Sequence, residues 1–281
     1  MRRSAIVTLT VVIGAVSFAA AATRAESKQA ATYVRFQVGD RVSYGIVDGD
    51  QVRQINGDLF GSWKPGEKTY PLSEVKVLAP TTPSKVLALA GNYVSHLGTG
   101  TTHENPEVFF KPPSCLIAPG EDIVIPRATD NVHYEAEMVI VIGKRAKNVS
   151  VGEAKDYVLG VTCGNDVSAR DWQKGDVQWW RAKGTDTFGP CGPFIVSGLD
   201  YDNLLLQLRV NGEVKQEQRT SDLVHGVAET VSWASQHVTL EPGDLIFTGT
   251  PGTTEALKPG DVVEVDLEGV GVLRNGVVKA R

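Results

Sequence analysis

The chain has 281 residues, with 28 Lys and Arg set against 33 Asp and Glu, a formal charge of −5. No basic run points to nucleic acid and no acidic block to a solvating tail. A hydrophobic share of 42% with 7% aromatics excludes a disordered chain, and the length admits one large domain with a small appendage.

Arg2 and Arg3 precede an apolar run, Ala5 to Ala22, that ends in small residues. This reads as an export signal over residues 1–25, cleaved after Ala22 or Ala25, with a periplasmic or secreted product. The alternative is a retained anchor, since the run is just long enough to span a bilayer. The reading adopted is a cleaved signal with no stable membrane anchor. Residues 26–80 read as a small β-rich domain. Tyr33 to Val38, Arg41 to Val47 and Gln51 to Ile55 alternate as strands, with turn signals at Gly39-Asp40 and Asp48-Gly49. Pro71-Leu72 and Ala79-Pro80-Thr81-Thr82-Pro83 then lead into a second unit, 84–281. Cys115, Cys163 and Cys191 show no metal or redox spacing. Their odd count leaves at least one thiol unpaired in a monomer and admits one pairing.

In the second unit, His133-Tyr134-Glu135-Ala136-Glu137-Met138 runs into the apolar stretch Val139 to Ile142. Strand alternation puts Glu135 and Glu137 on one face, at the mouth of a strand that enters a core. Two carboxylates there repel and lose hydration, and a hard divalent cation relieves both effects. The alternative is a solvated edge-strand face. Asp166 follows a second apolar run, Tyr157 to Val161, and supplies a third carboxylate at a strand end. Ser150-x-x-Glu153 is a capping pattern that opens a short helix. Leu204 to Val210, Asn211-Gly212 and Glu213 to Arg219 read as a hairpin. Asp222 to His237 reads as one amphipathic helix, with Leu223, Val224, Val227, Val231 and Ala234 on its apolar side. Gly243 to Phe247 and Asp261 to Leu267 read as strands, and Asn275-Gly276 as the turn of a last hairpin. Pattern alone predicts a β-rich α+β fold.

Six motifs carry a resemblance. They are Asn92-Tyr93-x-x-His96, Phe110-Lys111-Pro112, Tyr134-Glu135-x-Glu137, Asn165-Asp166-x-Ser168-x-Arg170-Asp171, Lys183-x-x-Asp186-x-Phe188-x-Pro190-x-Gly192-Pro193 and Thr248-Gly249-Thr250-Pro251-Gly252. In this order, over roughly residues 84 to 280, the series resembles the catalytic domain of the fumarylacetoacetate hydrolase family. The resemblance implies a mixed β-roll or barrel-like fold, usually a homodimer. It implies one Mg²⁺ or Mn²⁺ on Glu135, Glu137 and Asp166, in a net negative site; Ca²⁺ belongs to the same oxygen-ligand class. The substrate it implies is a small α-keto acid.

The same resemblance makes Lys183 the lysine that steadies an oxyanion and His96 the base on a lid. Residues 97–105, rich in Gly and Thr, form the lid. Arg170, Gln173 and Thr250 are candidate substrate contacts, with bracing of the ligand loop as the alternative for Arg170 and plain turn chemistry for Thr250. Hydrolytic members often carry Glu three residues after the histidine. This chain has Thr99 there, and Glu104 is the candidate substitute as the orienting carboxylate. His103 is an alternative base, and His133 a supporting group. The leading function is metal-dependent cleavage of a C–C bond in an acylpyruvate or fumarylacetoacetate-like acid. The alternative is isomerisation or decarboxylation of an enolisable α-keto diacid of the hydroxyhepta-dienedioate or oxaloacetate type. A non-catalytic exported binding protein is the third reading.

Overall fold

Alternating β-branched residues and short Gly turns build local hairpins, and the computed structural model describes residues 30–281. The first hairpins are β1 (Ala31–Val38), β2 (Arg41–Asp48) and β3 (Gln51–Gly57), as expected, with a fourth strand, β4 (Trp63–Pro71). Pro65, Gly66 and alternating charges hide β4 in the sequence; it forms the edge of its sheet, where proline is tolerated. After a short β5 (Lys76–Val77), β6 (Val86–Ala90) leads to a one-turn helix, α1 (Val94–Leu97), and back through β7 (Glu107–Lys111). Then come β8 (Leu116–Ile117), β9 (Ile123–Ile125), β10 (Val132–His133), β11 (Ala136–Ile142), β12 (Val158–Asn165) and β13 (Ser168–Ala169). Helices α2 (Arg170–Gly175) and α3 (Trp180–Gly184) precede β14 (Gly189–Ser197), the hairpin β15 (Leu205–Val210) and β16 (Glu213–Arg219), and α4 (Val227–His237). Strands β17 (Leu245–Phe247), β18 (Val262–Leu267) and β19 (Gly271–Lys279) complete the chain.

The main sheet runs β4-β3-β2-β1-β14-β12-β11-β17-β6-β7, mostly antiparallel, with β17 and β6 parallel. Because β1 pairs with β14 from Ala31–Ser197 to Tyr33–Ile195, the N-terminal strands continue the same sheet. A second sheet, β16-β15-β18-β19-β9, packs against it. Ala136, Met138 and Ile140 of β11 enter the core between the sheets with Leu206, Leu208, Val263, Val265 and the apolar face of α4. Val139 and Val141 enter a second core on the opposite face, with Val86, Ile195 and Phe247. β11 is therefore central and buried on both faces, not the edge strand of the alternative reading.

The hairpin at Asn211-Gly212 forms as expected, both residues taking positive φ (54° and 84°). Three expectations change. The helix begins at Val227, not Asp222, because Leu223 bridges to Tyr93, Val224 N–H donates to the Asn92 carbonyl, and Gly226 caps the helix. Asn275-Gly276 lies inside β19: the buried Asn275 amide donates to the carbonyls of Ala118 and Glu121, and the turn falls earlier, between Leu267 and Gly271. The Ser150 hydroxyl pairs with the Glu153 carboxylate at 2.6 Å, and a single 3-10 turn, Ala154–Tyr157, follows. The three cysteines are free and buried, so the admitted pairing is absent.

Candidate active site

Register builds the acidic cluster. Ala136 of β11 pairs with Asn165 of β12, and the Asn165 side-chain oxygen accepts from Glu135 N–H at 2.8 Å. Asp166 N–H donates to the Glu135 carbonyl at 2.9 Å, which fixes Asp166, just past the end of β12, beside Glu135. Glu135, Glu137 and Asp166 thereby bring carboxylate oxygens within 4.8 Å of one another, and all three are buried. Their exposures of 3%, 1% and 0% contradict a solvated acidic face.

Cations meet this charge from three elements. Lys183, at the end of α3, reaches Glu135 Oε2 at 2.5 Å and Asp166 Oδ2 at 2.6 Å. Arg170 lies 2.5 Å from Glu135 Oε1, and Lys111 of β7 lies 2.6 Å from Asp166 Oδ1. Three cations, the buried Lys111 and Lys183 and the partly buried Arg170, against three carboxylates correct the expectation of a net negative site. Burial raises the Glu135 carboxyl, but Lys183, Arg170 and His96 outweigh it and hold it at about 2. Glu137 goes the other way. Burial, with Asp166 and Glu135 beside it, pushes it well above 4.5. Its Oε2 accepts from Gly249 N–H at 2.6 Å, while its Oε1 is buried with no partner. An orphaned carboxylate oxygen, in an oxygen-only cluster of this spacing, fits a hard divalent ion. Gly249 sits at φ 97°, and a Cβ there would lie 2.8 Å from the Asn92 side chain; only glycine presents its N–H to Glu137 so closely.

A cavity of about 230 Å³ opens over the cluster, lined among others by His96, His103, Glu135, Gln173, Lys183 and Thr250, with Leu89, Leu97 and Trp179 as apolar walls. His96 sits on α1. Its Nδ1 lies 2.6 Å from the Gly252 carbonyl, which can only accept, so Nδ1–H donates there. Nε2 stands 3.9 Å from Glu135 Oε1. Glu104 is exposed, and no hydrogen bond or ion pair joins it to His96. Arg170 donates to Gln173 and Thr254, both at 2.8 Å, so it braces Glu135 and orients Gln173. The Thr250 hydroxyl accepts from Gln216 at 2.9 Å. His133 is pushed below its ordinary value by burial and by Arg170, and bonds Thr254 and Asn131 outside the cavity. Lys111, Trp179 and Gln216 had no assigned role in the sequence. Phe110-Lys111-Pro112 was a visible motif, but nothing local tells that its lysine is buried.

Residues 85–278 match the model described as fumarylacetoacetate (FAA) hydrolase C-terminal, and 32–80 the one described as Rv2993c-like, N-terminal. Protein Rv2993c of Mycobacterium tuberculosis is 42% identical over 85% of this chain and 95% of its own. The bovine mitochondrial oxaloacetate tautomerase FAHD2A is 41% identical over 74% of this chain and 71% of its own. Among solved structures, 2-hydroxyhepta-2,4-diene-1,7-dioate isomerase from Mycobacterium marinum superposes with TM-score 0.83 at 41% identity, covering 89% of this chain and 98% of that one. Maleylpyruvate hydrolase from Sphingobium sp. SYK-6, in complex with manganese(II) and pyruvate, does so with TM-score 0.74 at 30% identity, covering 89% and 100%.

Fold and cavity thus define a β-rich enzyme that acts on a small molecule. The chain belongs to the fumarylacetoacetate hydrolase family. Hydrolase, isomerase and tautomerase are all named among its relatives, so the hydrolytic and isomerising readings both stand and the non-catalytic one falls. The relatives also correct the expectation of export. The bovine tautomerase is mitochondrial, hence intracellular. The run Ala5 to Ala22 lies outside the described residues, and no described helix is long and apolar enough to cross a membrane.

Proposed function

We propose that Glu135, Glu137 and Asp166 hold one Mg²⁺ or Mn²⁺ and that the enzyme isomerises an enolisable α-keto diacid by moving a proton. The observation that carries this reading is the orientation of His96 by a backbone carbonyl. Nδ1 meets a carbonyl where a hydrolytic dyad has its orienting carboxylate, so His96 suits removal of an acidified α-proton better than activation of water. When bound, the divalent ion supplies Lewis-acid stabilisation of the enolate. His96 Nε2 takes the proton next to the keto group of a substrate in the cavity and delivers it to a different atom of the same enolate, its oxygen in tautomerisation or the far carbon of the conjugated system in double-bond migration; run in reverse, the same transfer turns enol into keto acid. Lys183 donates to the oxygen that gains charge, Gln173 and Thr250 hold the polar ends, and Leu89, Leu97 and Trp179 keep water out. The isomerase and tautomerase relatives, at 41% identity, support the same reading.

Hydrolysis of a C–C bond is the second reading, supported by the manganese- and pyruvate-bound hydrolase at 30% identity. Product analysis by NMR separates the two. With Mg²⁺, oxaloacetate enol and a hydroxyhepta-dienedioate should isomerise while acylpyruvates stay intact; faster acylpyruvate cleavage would reverse the order. The two family matches, over 32–80 and 85–278, support a division into units 26–80 and 84–281. Exposed Phe110, Val177 and Trp180 beside the cavity wall support a homodimer, which light scattering on the purified protein tests.

A further inference from the structure

Lys111 is a buried ionisable group that the reaction scheme leaves unused. It ends β7, and its side chain is wholly buried. Its ammonium lies 2.6 Å from Asp166 Oδ1 and 3.1 Å from the Phe188 carbonyl, and it also donates to the Lys183 carbonyl. An ammonium has three protons, and three acceptors meet them. The acceptors come from three separate places: the loop after β12, the end of α3, and the approach to β14. Packing is close there as well: a Cβ on Gly184 would lie 2.3 Å from Pro112. Lys111 does not line the cavity, so it cannot touch a substrate held there.

We propose that Lys111 is a positioning residue. It fixes Asp166 by one oxygen, leaving Oδ2 turned toward the cluster, and it pins the backbone from which the Lys183 side chain reaches Glu135 and Asp166. The inference rests on the reading that the three carboxylates hold a divalent ion. A competing role exists, and it has the opposite sign. If Lys111 were only a positive charge near the site, it would repel the ion, and its removal would tighten binding. If it positions Asp166, its removal leaves a carboxylate oxygen and two carbonyls without a donor, and binding weakens.

The test titrates Mn²⁺ alone into wild type, Lys111→Met and Lys111→Gln by calorimetry, with the electron paramagnetic resonance spectrum of bound Mn²⁺ as a second readout. Lys111→Met should lose about 10- to 100-fold in Mn²⁺ affinity, the usual cost of removing a group that orients a ligand. Its Mn²⁺ spectrum should also change shape, and Lys111→Gln, which keeps a donor, should recover part of the loss. Equal or tighter binding by a cooperatively melting Lys111→Met overturns the inference. Should that variant fail to melt cooperatively, Lys111→Gln decides alone: a loss supports the inference, and unchanged or tighter binding overturns it. If the wild type binds no Mn²⁺, the metal reading itself falls and takes this inference with it; if the wild type binds and the variant binds equally well, only this inference falls.

Discussion

Glu137 is the carboxylate on which the metal reading turns. It was legible in the sequence as half of an i, i+2 pair on a strand, but its unpartnered Oε1 and its donor, Gly249, 112 residues away, were not. Glu137→Ala should abolish Mn²⁺ binding by calorimetry while far-UV circular dichroism keeps the β signal. Its raised pKa gives a pH dependence with a definite sign. Metal-free and folded, Glu137 keeps its proton above 4.5, where the unfolded chain has lost it. The native state then binds more protons, so this group costs the metal-free protein stability as pH rises from about 4.5 through the raised value. Metal binding must expel that proton. The melting-temperature gain on adding Mn²⁺ should therefore grow with pH over this window; a gain that stays flat or shrinks there contradicts the assignment. His96→Ala should cost about 10²- to 10⁴-fold in turnover with Mn²⁺ affinity kept, the scale of a positioned acid–base group. Glu104→Gln should leave turnover within about twofold, since nothing joins Glu104 to His96.

Elements with a strong local code were readable. The β1–β3 meander, the Asn211-Gly212 hairpin and the strand carrying Glu135 and Glu137 all follow from alternation and turn chemistry. What failed was decided by distant partners. Residues 223 and 224 fit a helical stripe, yet they bond the Asn92-Tyr93 segment 130 positions upstream or thereabouts, and no local pattern records that. Asn275-Gly276 has a turn's composition, yet the Asn275 amide satisfies two carbonyls near residue 120. The lid belongs to this scale. Gly98 and Gly100 follow α1, the segment 98–105 is exposed, and only Leu97 and His103 touch the cavity. Amide exchange across residues 97–105 should slow when oxalate is added with Mn²⁺. The same exchange with and without ligand would show that no closure takes place. The turn before Thr250 gives a further check. Gly249→Ala places a side chain at φ 97° against Asn92 and should lower stability by roughly 1–3 kcal/mol, read as a fall in denaturation midpoint.

Across the whole molecule, the site exists because strands far apart in sequence become neighbours. β11 supplies Glu137 and the residue just before it, Glu135, the residue just past β12 is Asp166, β7 and α3 supply one lysine each, and α1 the histidine. The identities of most of these residues could be read from the motifs, because the residue types are what the chemistry demands. Their charge balance could not. Lys111 and Asp166 are 55 residues apart, and Lys111 is buried against Phe247, on the face of the main sheet away from the second sheet. The cluster paired in this way sits on a scaffold shared by several reactions. The most direct test of the central claim follows the enol-to-keto conversion of oxaloacetate by ultraviolet absorbance, with chelated protein, with increasing Mn²⁺, and with Glu137→Ala. The account predicts conversion that saturates at one Mn²⁺ per chain in the wild type and stays at the uncatalysed rate in the chelated protein and in the variant. Conversion that survives chelation, or a Glu137→Ala protein as fast as the wild type, would contradict it.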